Sequence, residues 1–261
     1  PVVHVELKGV VPNKPTTGPY RGAGGPEAAY FMERTISLIA DELGLDPMDV
    51  RRRNLIPPED MPHSTALGAN YEEGDFGALL DRALEIADYQ GLRDEQARGR
   101  AEGRLVGIGV ASFIEKTGGG GAYMTSNARV EIAADGHVDI YTEASPHGQG
   151  GETTYAQIGA DVLGVSPEQI SVLHGDTDQL EIGYGTLASR GVILSGSAVY
   201  LALQEARERI SLIAADLFGC ATDQVEYGEG RVFARGGSDS ASFAEVAARA
   251  FQEETLPDGI S

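Results

Sequence analysis

Apolar residues recur every third or fourth position over three long stretches and every second position over several short ones. These are the periods of a helix with one buried face and of a half-buried strand. The longest helical run follows Ser195. There Val199, Leu203, Ala206, Ile210, Ile213 and Leu217 mark a continuous buried face, and Gly219 ends it. A second run, 27–43, starts behind Pro26 and stops at Gly44, with Ala28, Phe31, Met32, Ile36, Ile39 and Leu43 on one side. A third starts behind Asp75 and points Leu79, Leu80, Ala83, Leu84 and Ala87 inward. Shorter helices are expected after Asp46-Pro47, over 152–163 and over 242–251.

Alternation over 2–11, 104–114, 138–142 and 170–174 predicts strands. Asp135-Gly136 joins 127–133 to 137–143 as a hairpin, and 228–230 joins a smaller one. The pattern predicts an α+β fold of mixed β-sheets packed with helices. It divides into a loop and helical segment, 1–103, and an α+β segment, 104–261.

Composition narrows the partners. A formal net charge of -20 repels nucleic acid phosphate and acidic membrane surfaces, and no basic stripe offsets it. The three arginines 51–53 therefore read as a solvated or salt-bridged face. The single cysteine, Cys220, excludes an internal disulfide and a cysteine-rich metal or iron–sulfur site. No segment reaches the apolar length of a membrane span and none reads as a signal peptide, so a cytoplasmic setting is expected. The opening Pro1-Val2-Val3-His4 reads as the middle of a domain, which points to a fragment or a processed chain.

The candidate chemistry lies in three glycine-rich stretches. Strand 138–142 runs into Ser145, Pro146 and His147, then Gly148, Gln149, Gly150 and Gly151, ahead of helix 152–163. Glycines at such a turn let backbone approach a ligand, unpartnered N–H groups at a helix start favour anions, and Gln149 both donates and accepts. The alternative is a strand-to-helix turn whose glycines serve geometry alone. The second stretch, 183–191, places Thr186, Ser189 and Arg190 among glycines ahead of Ser195 and Ser197. Arg190 offers a planar fork suited to phosphate. The third stretch, 19–28, contains Tyr20, Arg21, Gly22, Ala23 and Gly24. A four-glycine loop at 118–121 has no following Gly-Lys-Ser/Thr, which argues against a nucleotide-hydrolysing P-loop.

Together the three stretches resemble the cofactor-binding segments of molybdenum hydroxylase large subunits, the family of xanthine dehydrogenase, aldehyde oxidase and carbon monoxide dehydrogenase. The wording is closest to the carbon monoxide dehydrogenase-like branch. The resemblance implies molybdopterin cytosine dinucleotide carrying molybdenum, with no protein side chain on the metal. It implies hydroxylation of an aldehyde or N-heterocycle with oxygen derived from water. The implied partners are an iron–sulfur small subunit, an FAD-binding medium subunit and the remainder of the large subunit.

By the same resemblance Arg21 orients substrate or stabilises charge on it, and Gly22, Ala23 and Gly24 line the metal's open side. Gly148, Gln149, Gly150 and Thr153 contact the cofactor, and Thr186, Ser189, Arg190, Ser195 and Ser197 hold pterin or diphosphate. Carbon monoxide dehydrogenases carry a copper-binding Cys where Gly22 stands, which argues against carbon monoxide as substrate. The family's catalytic Glu is not found in this sequence, so a chain of this extent is expected to be inactive alone. A non-catalytic binding or structural module of the same fold is the other reading.

Overall fold

The computed structural model describes residues 3–118, 125–180 and 183–252. The chain divides into two compact units, 1–114 and 115–261. The sequence pattern draws the line between 103 and 104. Residues 104–114 group with the first unit, where the Val106 carbonyl accepts from Gln96 and the Val110 carbonyl from Arg51.

The first unit holds α1 (Gly25–Leu43), α2 (Pro47–Asn54), the short pair β1 (His63–Ser64) and β2 (Asn70–Tyr71), α3 (Phe76–Ile86) and α4 (Tyr89–Ala101). Asp46, Asp75 and Asp88 each cap a helix by accepting a backbone N–H. The core is small: Met48, Leu80 and Leu84, with Leu55, Tyr89 and Val110 packed against them. Arg51 is buried with them, paired with Glu33 at 2.7 Å, while Arg52 stays exposed and pairs with Asp49 and Asp81. Two of the three arginines are thus salt-bridged, and Arg53 is exposed.

Three expectations for this unit are corrected. Residues 3–11 and 104–114 alternate in character but form no strand, because a ladder needs a partner edge and neither segment has one among the described residues. Leu79 of α3 is exposed and Leu80 and Leu84 alone of the expected set are buried. In α1 the packed side is Ala29, Glu33, Ile36, Ser37 and Ala40, because it receives Arg51. Phe31, Met32, Ile39 and Leu43 are exposed.

The second unit holds β3 (Ala128–Ile132), β4 (Val138–Thr142), α5 (Gly151–Leu163), β5 (Ile170–His174), α6 (Ser197–Phe218), β6 (Val225–Gly228), β7 (Arg231–Ala234), β8 (Ser240–Ser242) and α7 (Phe243–Arg249). In the first sheet β4 is central, antiparallel to β3 and parallel to β5. Parallel pairing requires a crossover, and α5 supplies it. The expected hairpin is present, with Ile132 opposite Val138 and Gly136 at φ 83° in its loop.

On β4, Val138, Ile140 and Thr142 are fully buried, and Val138 and Ile140 join one core with Tyr155 and Leu163 of α5 and Val199 and Leu203 of α6. A Cβ at Gly159 of α5 would lie 2.8 Å from Ile170 and 3.1 Å from Ile140, so the missing side chain lets the helix sit directly on the sheet. Along α6, Val199, Leu203, Ile210 and Ile213 are buried and Ala206 and Leu217 half-buried, the face the periodicity predicts. The residues just before it, Gly191–Gly196, wind as a π turn. The second sheet is the meander β6–β7–β8, closed by α7 behind a Ser242–Glu245 capping box. Of the four-glycine loop 118–121, only Gly118 falls among the described residues. No helix among the described residues is long and apolar enough to cross a membrane.

Candidate cofactor-binding site

The site is built at the C-terminal end of β4. Alternation buries Ile140 and Thr142, and the chain then delivers Glu143 into the interior, its side chain only 2% exposed. A buried carboxylate must be saturated with donors. Its Oε1 accepts from Ser126 Oγ at 2.6 Å, Arg190 Nη1 at 2.7 Å and Ser195 Oγ at 3.1 Å. Its Oε2 accepts from the N–H groups of Tyr184 at 2.7 Å and Gly185 at 3.0 Å. Arg190 is fully buried and also donates to the carbonyls of Gly185 and Thr125. One carboxylate therefore fastens β4 to the segment at 125–126, to the 183–190 loop and to the start of α6.

The two glycine-rich turns meet around this centre. Ser145 N–H donates to Thr186 Oγ1 at 3.1 Å, and the buried Tyr155 hydroxyl donates to the Gly191 carbonyl at 3.2 Å. Outside this join, Gly148 and Gly150 have φ of 106° and 75°, and a Cβ on either would meet nothing within 4 Å. Glycine is required there by backbone conformation, and the space over the turn is open. Gln149 is exposed, and its amide turns back on His147, accepting from that residue's N–H at 2.7 Å. Thr153 lies exposed on the first turn of α5. Glu152 pairs with His174 at 2.9 Å beside the same helix start.

Burial by itself pushes the Glu143 carboxyl up, but the hydrogen bonds from Ser126, the Tyr184 N–H and Arg190 outweigh it, and the group sits below the usual carboxylate range. A folded pKa below the unfolded one stabilises fully above the unfolded value of about 4.3, and that stability is lost as pH falls through the folded pKa. Urea midpoints should therefore drop on the acid side, and Glu143→Gln should flatten that limb. Identical acid limbs for the two proteins would show that Glu143 is not held in its charged form.

Arg190 and Ser195 are both fully buried, and Arg190 Nη1 and Ser195 Oγ donate to Glu143. Of the other expected hydroxyls, Thr186 is half-buried at the join. Ser189 is exposed and donates to Glu115, and Ser197 is exposed and donates to the Ile193 carbonyl. Ala188 and Ser189 both take left-handed backbone, at φ 48° and 53°, conformations that non-glycine residues adopt only when their surroundings impose them.

In the first unit, Gly22, Ala23 and Gly24 are three successive left-handed residues, and a Cβ on Gly22 would strike the Pro26 ring at 2.7 Å. That turn holds Arg21 exposed ahead of α1. The residue that sequence reading missed is Glu143. Its only signal was an acidic residue directly after a strand of buried alternation.

Fold and turns define an α+β binding unit that presents bare glycine backbone and one exposed amide at a helix start. The molybdopterin cofactor-binding domain family matches residues 82–259, and a second domain of the same description matches 1–55. The chain belongs to the molybdopterin cofactor-binding family. It is 33% identical to the 6-hydroxypseudooxynicotine dehydrogenase complex subunit gamma of Paenarthrobacter nicotinovorans, over 95% of this chain and 32% of that protein. It is 33% identical to the carbon monoxide dehydrogenase large chain of Hydrogenophaga pseudoflava, over 98% of this chain and 33% of that one. Among solved structures, quinoline 2-oxidoreductase from Pseudomonas putida 86 superposes with a TM-score of 0.81 at 34% identity, covering 93% of this chain and 32% of that one. The chain thus spans about a third of the length of these relatives.

Proposed function

We propose that this chain is the cofactor-binding portion of a molybdenum hydroxylase large subunit that takes an N-heterocycle or an aldehyde as substrate. The cofactor would be the cytosine dinucleotide form of molybdopterin. The observation that carries the reading is the join of the two glycine-rich turns behind an open, glycine-lined face at the start of α5. Such a face suits a flat, anionic ligand, because backbone can approach it closely and helix-start N–H groups favour negative charge.

When bound, the cofactor supplies the oxidising centre. The chain's residues bind and orient it. Gly148 and Gly150 offer backbone, the Gln149 amide swings from His147 to donate and accept at the ligand, and Thr153 adds a hydroxyl. Thr186 keeps the second turn against the first, with Ser189 and Ser197 at its outer edge. Arg21, ahead of α1 on the turn formed by Gly22, Ala23 and Gly24, supplies positive charge for substrate. The N-heterocycle class is favoured because relatives carry names such as quinoline 2-oxidoreductase and nicotine 6-hydroxylase. Relatives named as subunits support partner subunits, which the family resemblance makes an iron–sulfur small subunit, an FAD-binding medium subunit and the rest of the large subunit.

The complex purified from molybdate-fed cells should contain stoichiometric molybdenum and release cytidine nucleotide on acid treatment. Gln149→Ala should lower both contents, whereas Arg21→Ala should lower turnover and leave them intact. A complex without molybdenum and nucleotide would favour a non-catalytic module of the same fold.

A further inference from the structure

Five donors from three separate stretches converge on the Glu143 carboxylate, and none of them belongs to the strand that carries it. A buried ion pair is a poor way to gain stability, since an apolar residue fills the same space without losing hydration. What the arrangement provides is geometry. Oε2 holds the Tyr184 and Gly185 N–H groups, so the loop carrying Thr186 is fixed relative to β4, and β4 leads directly into the Gly148–Gly150 turn. Gly183 is part of the fit: a Cβ there would lie 2.7 Å from Glu143 Cβ, so loop and carboxylate approach to backbone distance.

We propose that Glu143, clasped by Arg190, is a positioning residue for the cofactor. It touches no ligand, but it holds the 183–190 loop in register with the Gln149 turn and so sets how tightly both grip a bound dinucleotide. This rests on the functional reading above. The clasp acts through the loop, so loosening it raises the rate of cofactor escape out of proportion to any loss of global stability.

The test uses the complete complex loaded with cofactor. Two variants loosen the clasp by different routes. Glu143→Gln removes the charge, while Gly183→Ala forces loop and carboxylate apart and leaves every charge in place. Phe243→Leu, in the core of the same unit and outside the Glu143 hydrogen bonds, serves as a control for lost stability. Cofactor release is followed at a temperature below the unfolding midpoint of every variant.

Release should be about 10-fold faster or more in both clasp variants, as when groups supporting a binding shell are altered, and close to wild type in Phe243→Leu. If Glu143→Gln does not fold, Gly183→Ala decides. Release that only follows the unfolding midpoint, equally in clasp and control variants, would overturn the positioning role while the loaded wild-type complex upheld the cofactor reading. A wild-type complex without molybdenum or cytidine nucleotide would remove the reading itself, and the clasp with it.

Discussion

Replacing Arg190 with methionine lowers the unfolding free energy of the second unit by about 3–5 kcal/mol, the range found when one partner of a buried ion pair is removed. The substitution keeps most of the side-chain volume, so the loss comes from electrostatics. Glu143 is left in the interior with its charge uncompensated, and the Thr125 and Gly185 carbonyls lose a donor. Glu143→Gln in the same background should recover part of the loss, because a neutral amide still accepts from the Tyr184 and Gly185 N–H groups. Urea unfolding of the single and double variants measures both effects. A loss below about 1 kcal/mol for Arg190→Met, the size typical of exposed pairs, would mean that water reaches the pair in solution.

Gly164→Ala should be comparably damaging, by about 2–5 kcal/mol, from two causes that can be separated. The residue sits at φ 67° at the end of α5, which costs a non-glycine residue about 1–2 kcal/mol. Its Cβ would also lie 2.7 Å from Gly228 N and 2.9 Å from the Tyr227 carbonyl carbon, so β6 would have to move as a whole. Overpacking of this kind typically adds about 1–3 kcal/mol. Gly219 ends α6 in the same conformation, φ 63°, with nothing within 4 Å of its Cβ position. Gly219→Ala should therefore show the conformational cost alone. Equal losses at the two positions would show that β6 yields freely and that only φ matters.

Much of the second unit was legible because its signals are local. The α6 stripe, the hairpin at Asp135-Gly136 and the glycine stop at 219 each depend on residues within a turn or two of one another. The first unit was less legible for the same reason. Residues 3–11 and 104–114 carry a strand pattern, but pairing depends on a neighbour that the pattern does not name. In α1 the larger apolar side chains suggested one buried face, while the buried Arg51 selected another by bringing Glu33 and Ser37 inward.

The sequence by itself determined the long helices and the first hairpin of the second unit and the glycine turn at the start of α5, and its motifs carry the resemblance that points to a molybdopterin ligand. The elements and the turn follow from spacing, backbone conformation and residue type, which are properties of short stretches. Tertiary structure alone decided that Arg190 turns inward and that Glu143 is its partner. An arginine among glycines has the same local appearance whether it meets a phosphate or a buried carboxylate. The choice depends on a group 47 residues away in the chain, and only packing of β4 against the 183–190 loop removes the water that would otherwise satisfy both charges.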